Sequence, residues 1–119
     1  MKQYFDYTLQ GSIAVFTLRI DRLLFFESAQ ILATVEQKLG ELGFPDLIID
    51  LRSVGTLDSA GVGFLISVKH LIDTHQRRIA VVCDNESVLR VLSITNMESF
   101  LRVCNSLEQA HASFGEGSA

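Results

Sequence analysis

The apolar positions of this chain change period several times, and each change marks an element. Tyr4 to Thr8 and Ile13 to Ile20 alternate with period two and read as strands, divided by the turn Gln10-Gly11-Ser12. In the second strand Ile13, Val15 and Thr17 fall on one face and Ala14, Phe16 and Leu18 on the other. From Ser28 to Leu42 the period lengthens to that of a helix. Ile31, Val35, Leu39 and Leu42 form its apolar stripe, and Gly43 and Pro45 end it. Leu47 to Leu51 is an unbroken apolar run, the pattern of a short strand buried on both faces. A second helix is predicted from Ser59 to about His75, and a fourth strand from Ile79 to Cys83. Asn85 can cap a third helix running to about Ser93, and Phe100 to Val103 reads as a fifth strand. Asn105-Ser106-Leu107-Glu108 has the form of a capping box, with Asn in place of Ser or Thr, opening a last helix. Gly115 to Ala119 is expected to be a frayed, disordered tail.

Helices alternating with strands predict an α/β fold with right-handed parallel crossovers. The two leading strands make the sheet mixed. The expectation is a four- or five-stranded sheet with helices mainly on one face and Leu47 to Leu51 in its interior. With 119 residues, 48% of them hydrophobic, residues 1–119 are expected to form one domain with a core of its own. A net charge of −4 without a Lys/Arg cluster argues against nucleic acid as a partner. The apolar runs fall short of the roughly 18 residues of a membrane span, so direct membrane insertion is not expected. Met1 to Gln10 lacks the apolar core of a signal peptide, and the reading is cytoplasmic. Cys83 and Cys104 lie near strand ends with no Cys-x-x-Cys spacing, and read as buried small apolar residues; no metal is expected.

Candidate chemistry is confined to one place. After the Leu47 to Leu51 strand and a polar turn, Asp58-Ser59 opens the second helix. There the first N–H groups lack intrahelical acceptors, which suits a phosphate. Plain helix capping by Asp58 explains the same pair. A hydrolase elbow would need Gly where Leu57 stands, and it would draw its base from His70, His75 or His111. Two of these lie on the helix that Ser59 itself opens. Ala60-Gly61-Val62-Gly63 is followed by no Lys-Ser/Thr and is not a Walker loop. No catalytic residue and no cofactor is therefore assigned. Along the helix Val62, Leu65, Ile66 and Ile72 are expected to face the sheet. Phe64, Val68 and Leu71 form an adjoining stripe, to be covered by neighbouring helices or left open to a partner. At least two of the three are expected to stay accessible. Asp50, ending a buried strand, is expected to accept from backbone N–H groups of the following turn.

Asp50-Leu51, then Asp58-Ser59-Ala60-Gly61 and an apolar helix, then the strand Arg78 to Cys83 and the short helix Val88 to Leu92 together resemble the STAS domain. This is the fold of bacterial anti-sigma factor antagonists and of the cytoplasmic tails of sulfate-type transporters. The resemblance covers about residues 12 to 104. It implies a regulatory, non-enzymatic protein of partner-switching pathways that control transcription. A partner serine kinase, itself an anti-sigma factor, would phosphorylate Ser59, and a cognate phosphatase would reverse it. The partner surface would comprise Asp58, Ser59, Gly61, Phe64, Val68 and Leu71, with Asp21 folding back from the loop after the second strand. In antagonists an acidic residue lies three positions before a small hydroxyl residue of the first helix. Counted back from Ser28 that place is held by Phe25, and Asp21 lies four residues earlier. Leu23-Leu24-Phe25-Phe26 looks instead like the transporter-type domain. The alternative it implies is a cytoplasmic STAS subunit associated with a lipid or anion transporter.

Overall fold

The computed structural model describes residues 4–23 and 25–117. Two strands, β1 (Phe5–Gln10) and β2 (Ile13–Leu18), form an antiparallel hairpin in which Gln10 pairs with Ile13. Its two-residue loop starts with Gly11 at φ +66°, a conformation that costs a residue without Cβ nothing. A short strand β3 (Arg22–Leu23) leads into helix α1 (Phe25–Glu41), which begins three residues before the predicted Ser28. A Schellman turn closes α1: Phe44 N–H donates to Leu39 and Gly43 N–H to Gly40, with Gly43 at φ +77°.

Strand β4 (Asp46–Asp50), strand β5 (Thr56–Leu57), helix α2 (Ser59–Thr74), strand β6 (Ile79–Val82), helix α3 (Glu86–Ile94), a 3₁₀ turn (Met97–Ser99), strand β7 (Arg102–Cys104) and helix α4 (Leu107–Gly117) follow. Among the described residues the main sheet has five strands in the order β1-β2-β4-β6-β7, antiparallel at the first pair and parallel thereafter. β4 is an interior strand, and every residue in it is buried. That is why Leu47 to Ile49 show no polar alternation.

The alternation read in β2 sorts its side chains as expected. Ala14, Phe16 and Leu18 join Leu47, Ile49 and Val81 in the larger core with Ile31, Val35 and Leu39 of α1, Leu65 and Ile72 of α2, and Val88 and Leu92 of α3. Val15, Ile48, Ala80 and Val82 face the other way, onto Ala110 and Phe114 of α4. Three helices thus cover one face of the sheet and α4 alone covers the other.

Two local expectations are corrected, and one pairing is new. The capping box at α4 lies one residue later than predicted: Gln109 N–H donates to Ser106 Oγ at 3.1 Å, and Gln109 Oε1 accepts the N–H of Asn105 at 2.6 Å. Ser106 with Gln109 satisfies the Ser-x-x-Gln form of the box, so Asn105 is not the cap. α4 also continues through Gly117, into the segment expected to fray, while Ser118 and Ala119 lie outside the described residues. The parallel pair β3–β5 was not anticipated, since two-residue strands have no period to read.

Candidate functional site

The loop from β4 to α2 rests on Leu51, Val54 and Leu57, which are buried beneath it, and turns its polar residues outward. Asp50 anchors its start. This carboxylate is buried, accepts Arg52 N–H and Nε at 3.0 Å each through Oδ1, and pairs through Oδ2 with Arg52 Nη2 at 2.8 Å. The backbone acceptor role expected of Asp50 is present, and the bidentate arginine adds to it. The hydrogen bonds that Arg52 donates to Asp50 raise its pKa above its already high ordinary value.

Asp21 reaches this loop. Its carbonyl accepts the N–H groups of Gly55 at 2.6 Å and Thr56 at 3.1 Å, and the β3–β5 pair extends the same contact. A Cβ on Gly55 would lie 2.9 Å from Asp21 Oδ1, so the missing side chain lets the acid lie against the loop. Asp21 is exposed. The fold therefore brings together the two segments that hold Asp21, Asp58 and Ser59. Leu24 lies outside the described residues, and of the Leu23-Leu24-Phe25-Phe26 segment only backbone placement at Leu23, Phe25 and Phe26 is described.

Asp58 is the N-cap of α2, extended at φ −107°, with Oδ1 accepting Gly61 N–H at 3.0 Å. Ser59 follows as the first helical residue. It is exposed, and its hydroxyl makes none of the hydrogen bonds among the described residues. Capping thus falls to Asp58 and leaves the Ser59 hydroxyl outside the cap. The N–H groups of Ser59 and Ala60 precede the helix ladder and point out at its end. His70 and His75 are exposed further along α2, and the ring of His75 stacks on Phe44 at 3.5 Å. His111 is on α4, across the sheet. Among the described residues no group of three or more His, Cys, Asp or Glu is placed to hold a metal, and no helix is long and apolar enough to cross a membrane.

The structure overturns the expected grip on α2. Phe64 is 2% exposed and Val68 0%, both in the main core, and only Leu71 remains partly accessible. Gly61 is buried too, its N–H held by Asp58. The reason is that α2 packs on two surfaces at once, the sheet and α1, so its buried arc is wide and takes in the supposed open stripe. Ile66, expected against the sheet, is instead 42% exposed. It lies seven residues, two turns, beyond Ser59 and so on the same face. That spacing is the sequence signal that would have found it.

Comparison with known proteins agrees with this architecture. The family model for the STAS domain matches residues 4–110. A Thermotoga maritima protein described as an anti-sigma factor antagonist is 28% identical over 68 residues, 57% of this chain and 60% of that relative's length. The crystal structure of an anti-sigma factor antagonist from Thermotoga maritima superposes with a TM-score of 0.80 at 22% identity, covering 92% of each chain. An anti-sigma factor antagonist from Mycobacterium paratuberculosis gives a TM-score of 0.81 at 15% identity, covering 92% of this chain and 91% of its own. The unphosphorylated antagonist SpoIIAA gives 0.67 at 15% identity, covering 95% and 98%. The mixed sheet with its lone fourth helix, the Asp58-Ser59 helix start and a family match over nearly the whole described chain lead to one assignment: the chain belongs to the STAS domain family.

Proposed function

We propose that this chain is a regulator of the anti-sigma factor antagonist type, which binds a partner serine kinase acting as an anti-sigma factor and is switched off by phosphorylation of Ser59. The observation that carries the reading is the state of Ser59: exposed, first in a helix already capped by Asp58, and unengaged through its hydroxyl. Relatives described as anti-sigma factor antagonists support it, as does SpoIIAA, solved in both unphosphorylated and phosphorylated forms. In this reading the chain carries no catalysis of its own, and a cognate phosphatase resets it in the cytoplasm.

A phosphate on Ser59 adds roughly −1.5 to −2 in charge beside free helical N–H groups, an interaction of about 1 kcal/mol. The neighbouring Asp58 carboxylate opposes it, so the fold changes little. A docked partner, by contrast, must desolvate the dianion, at a cost of several kcal/mol if no cation meets it. The contact surface is Asp21, the exposed part of the loop from Ser53 to Asp58, Ser59 and Ile66, with Leu71 at its margin.

Immobilised wild type, Ser59→Ala and Ser59→Asp chains, exposed to native lysate, test the binding half of the proposal. Wild type and Ser59→Ala are expected to retain a histidine-kinase-like serine kinase, and Ser59→Asp to retain at least about tenfold less, a difference of about 1.4 kcal/mol. Retention of transporter subunits by all three alike would replace this reading with that of a transport-associated STAS subunit.

A further inference from the structure

At the end of the sheet opposite Ser59, where β6 and β7 begin, a groove of about 440 Å³ opens between the last turns of α2 and α4. Lys69, Arg77, Arg78 and Arg102 line it, against Asp73 and Glu98. The chain has 10 Lys and Arg and 14 Asp and Glu, so four of the 10 cations but two of the 14 acids converge here. The groove is locally basic on an acidic protein.

Arg78 and Arg102 are explained by α4. Arg78 Nη1 donates to Phe114 O at 2.7 Å and Arg102 Nη1 to Ser113 O at 3.1 Å, capping the helix end, while Arg78 Nη2 pairs with Asp46 at 3.0 Å. Lys69 pairs with Asp73 at 2.7 Å and lies 5.3 Å from the centre of the Phe100 ring. Arg77 has no such explanation. It is exposed, and its side chain makes no hydrogen bond or ion pair among the described residues. Only its backbone is held, by N–H donation to Ile72 O at 3.0 Å. Phe100, 42% exposed beside the Lys69 ammonium, adds an aromatic wall to the same groove.

We propose that this groove binds an extended acidic peptide segment of a protein partner, with a carboxylate on Arg77 and an aromatic or large apolar side chain against Phe100. A small inorganic anion would use the guanidinium donors and leave the ring bare, whereas an acidic segment with an apolar residue uses both. The opposite placement of Ser59 lets this contact persist in either state of that residue, and the proposal does not depend on Ser59 being phosphorylated.

The test is fluorescence anisotropy of the full chain with a fluorescein-labelled peptide that alternates Glu and Asp around one central Phe. Arg77→Glu is expected to weaken binding about tenfold, since it replaces an attraction with a repulsion. Phe100→Ser, or Ser in place of the peptide's Phe, weakens it as well, a Lys-based peptide does not bind, and Ser59→Asp changes nothing. Thermal melts of Arg77→Glu should match wild type, because the side chain has no partner to lose. Absence of binding to the wild type, equal affinity for Arg77→Glu, equal loss in Ser59→Asp, or displacement of the peptide by equimolar inorganic phosphate would each overturn the proposal.

Discussion

Asp58 and Ser59 divide two tasks that fall on neighbouring backbone positions. Asp58 satisfies the N–H of Gly61, and Ser59 keeps its hydroxyl outside that network. Asp58→Ala should therefore cost about 1 kcal/mol of stability, the usual loss of an N-cap, read as a fall of several degrees in the thermal midpoint. Ser59→Ala should leave the midpoint unchanged. Cys83 and Cys104 sit in opposite cores, one on each face of the sheet, so no bond can join them without moving a strand. Burial pushes both thiols above the ordinary thiol range, chiefly by desolvation. For an acid, a raised folded pKa means that the unfolded chain ionises first. The thiols thus place no demand on stability below the ordinary thiol range and reduce it as pH rises through that range and above. Ellman's reagent should react slowly with the native protein near pH 8 and with both thiols in denaturant, and the urea midpoint should drop under alkaline conditions. Two fast-reacting native thiols would contradict the burial.

At the scale of elements, what could be read from sequence was local. The Asp58 and Asn85 caps, the stop at Gly43 and the alternation of β2 all depend on residues within a few positions of each other, and all stand in the structure. The face of α2 was not legible in that way. Its amphipathic phase depends on α1, which packs on it from far along the chain, and a helix with two buried sides has no single stripe. Hence at least two of Phe64, Val68 and Leu71 were expected to stay accessible and Ile66 to face the sheet, whereas Phe64 and Val68 are buried and Ile66 is exposed. The link between Asp21 and Gly55 was equally hidden, because it is made by a backbone carbonyl. Substitution separates the two faces. Phe64→Ala should cost about 3–5 kcal/mol in urea unfolding, as deletion of a buried ring does. Ile66→Ala should stay within about 0.5 kcal/mol while weakening partner binding. If Ile66→Ala leaves partner affinity intact, the partner does not use the exposed face of α2.

The molecule as a whole places its two candidate surfaces at opposite ends of one parallel sheet. The C-terminal end of β4 leads to Asp58, Ser59 and the clipped Asp21 loop, and the N-terminal ends of β6 and β7 open on the basic groove. The alternation of helices and strands was enough to predict the mixed sheet, its interior β4 and its helix-rich face, because crossover handedness leaves few alternatives. The groove was not foreseen, since its cations come from α2, from the turn before β6 and from β7, and meet only in the folded chain. The central claim is that Ser59 is a switch that acts on binding and leaves folding alone. The most direct measurement is to incubate the protein with its captured kinase and ATP, map the phosphate by mass spectrometry, and titrate the modified chain against the same kinase by calorimetry beside a thermal melt. The prediction is a single phosphate on Ser59, an unfolding midpoint within a few degrees of the unmodified chain, and affinity lower by about 10²-fold or more, the counterpart of a desolvation cost near 2.7 kcal/mol. Phosphate on another residue, or a Ser59-phosphorylated chain that binds its kinase as tightly as the unmodified one, would contradict it.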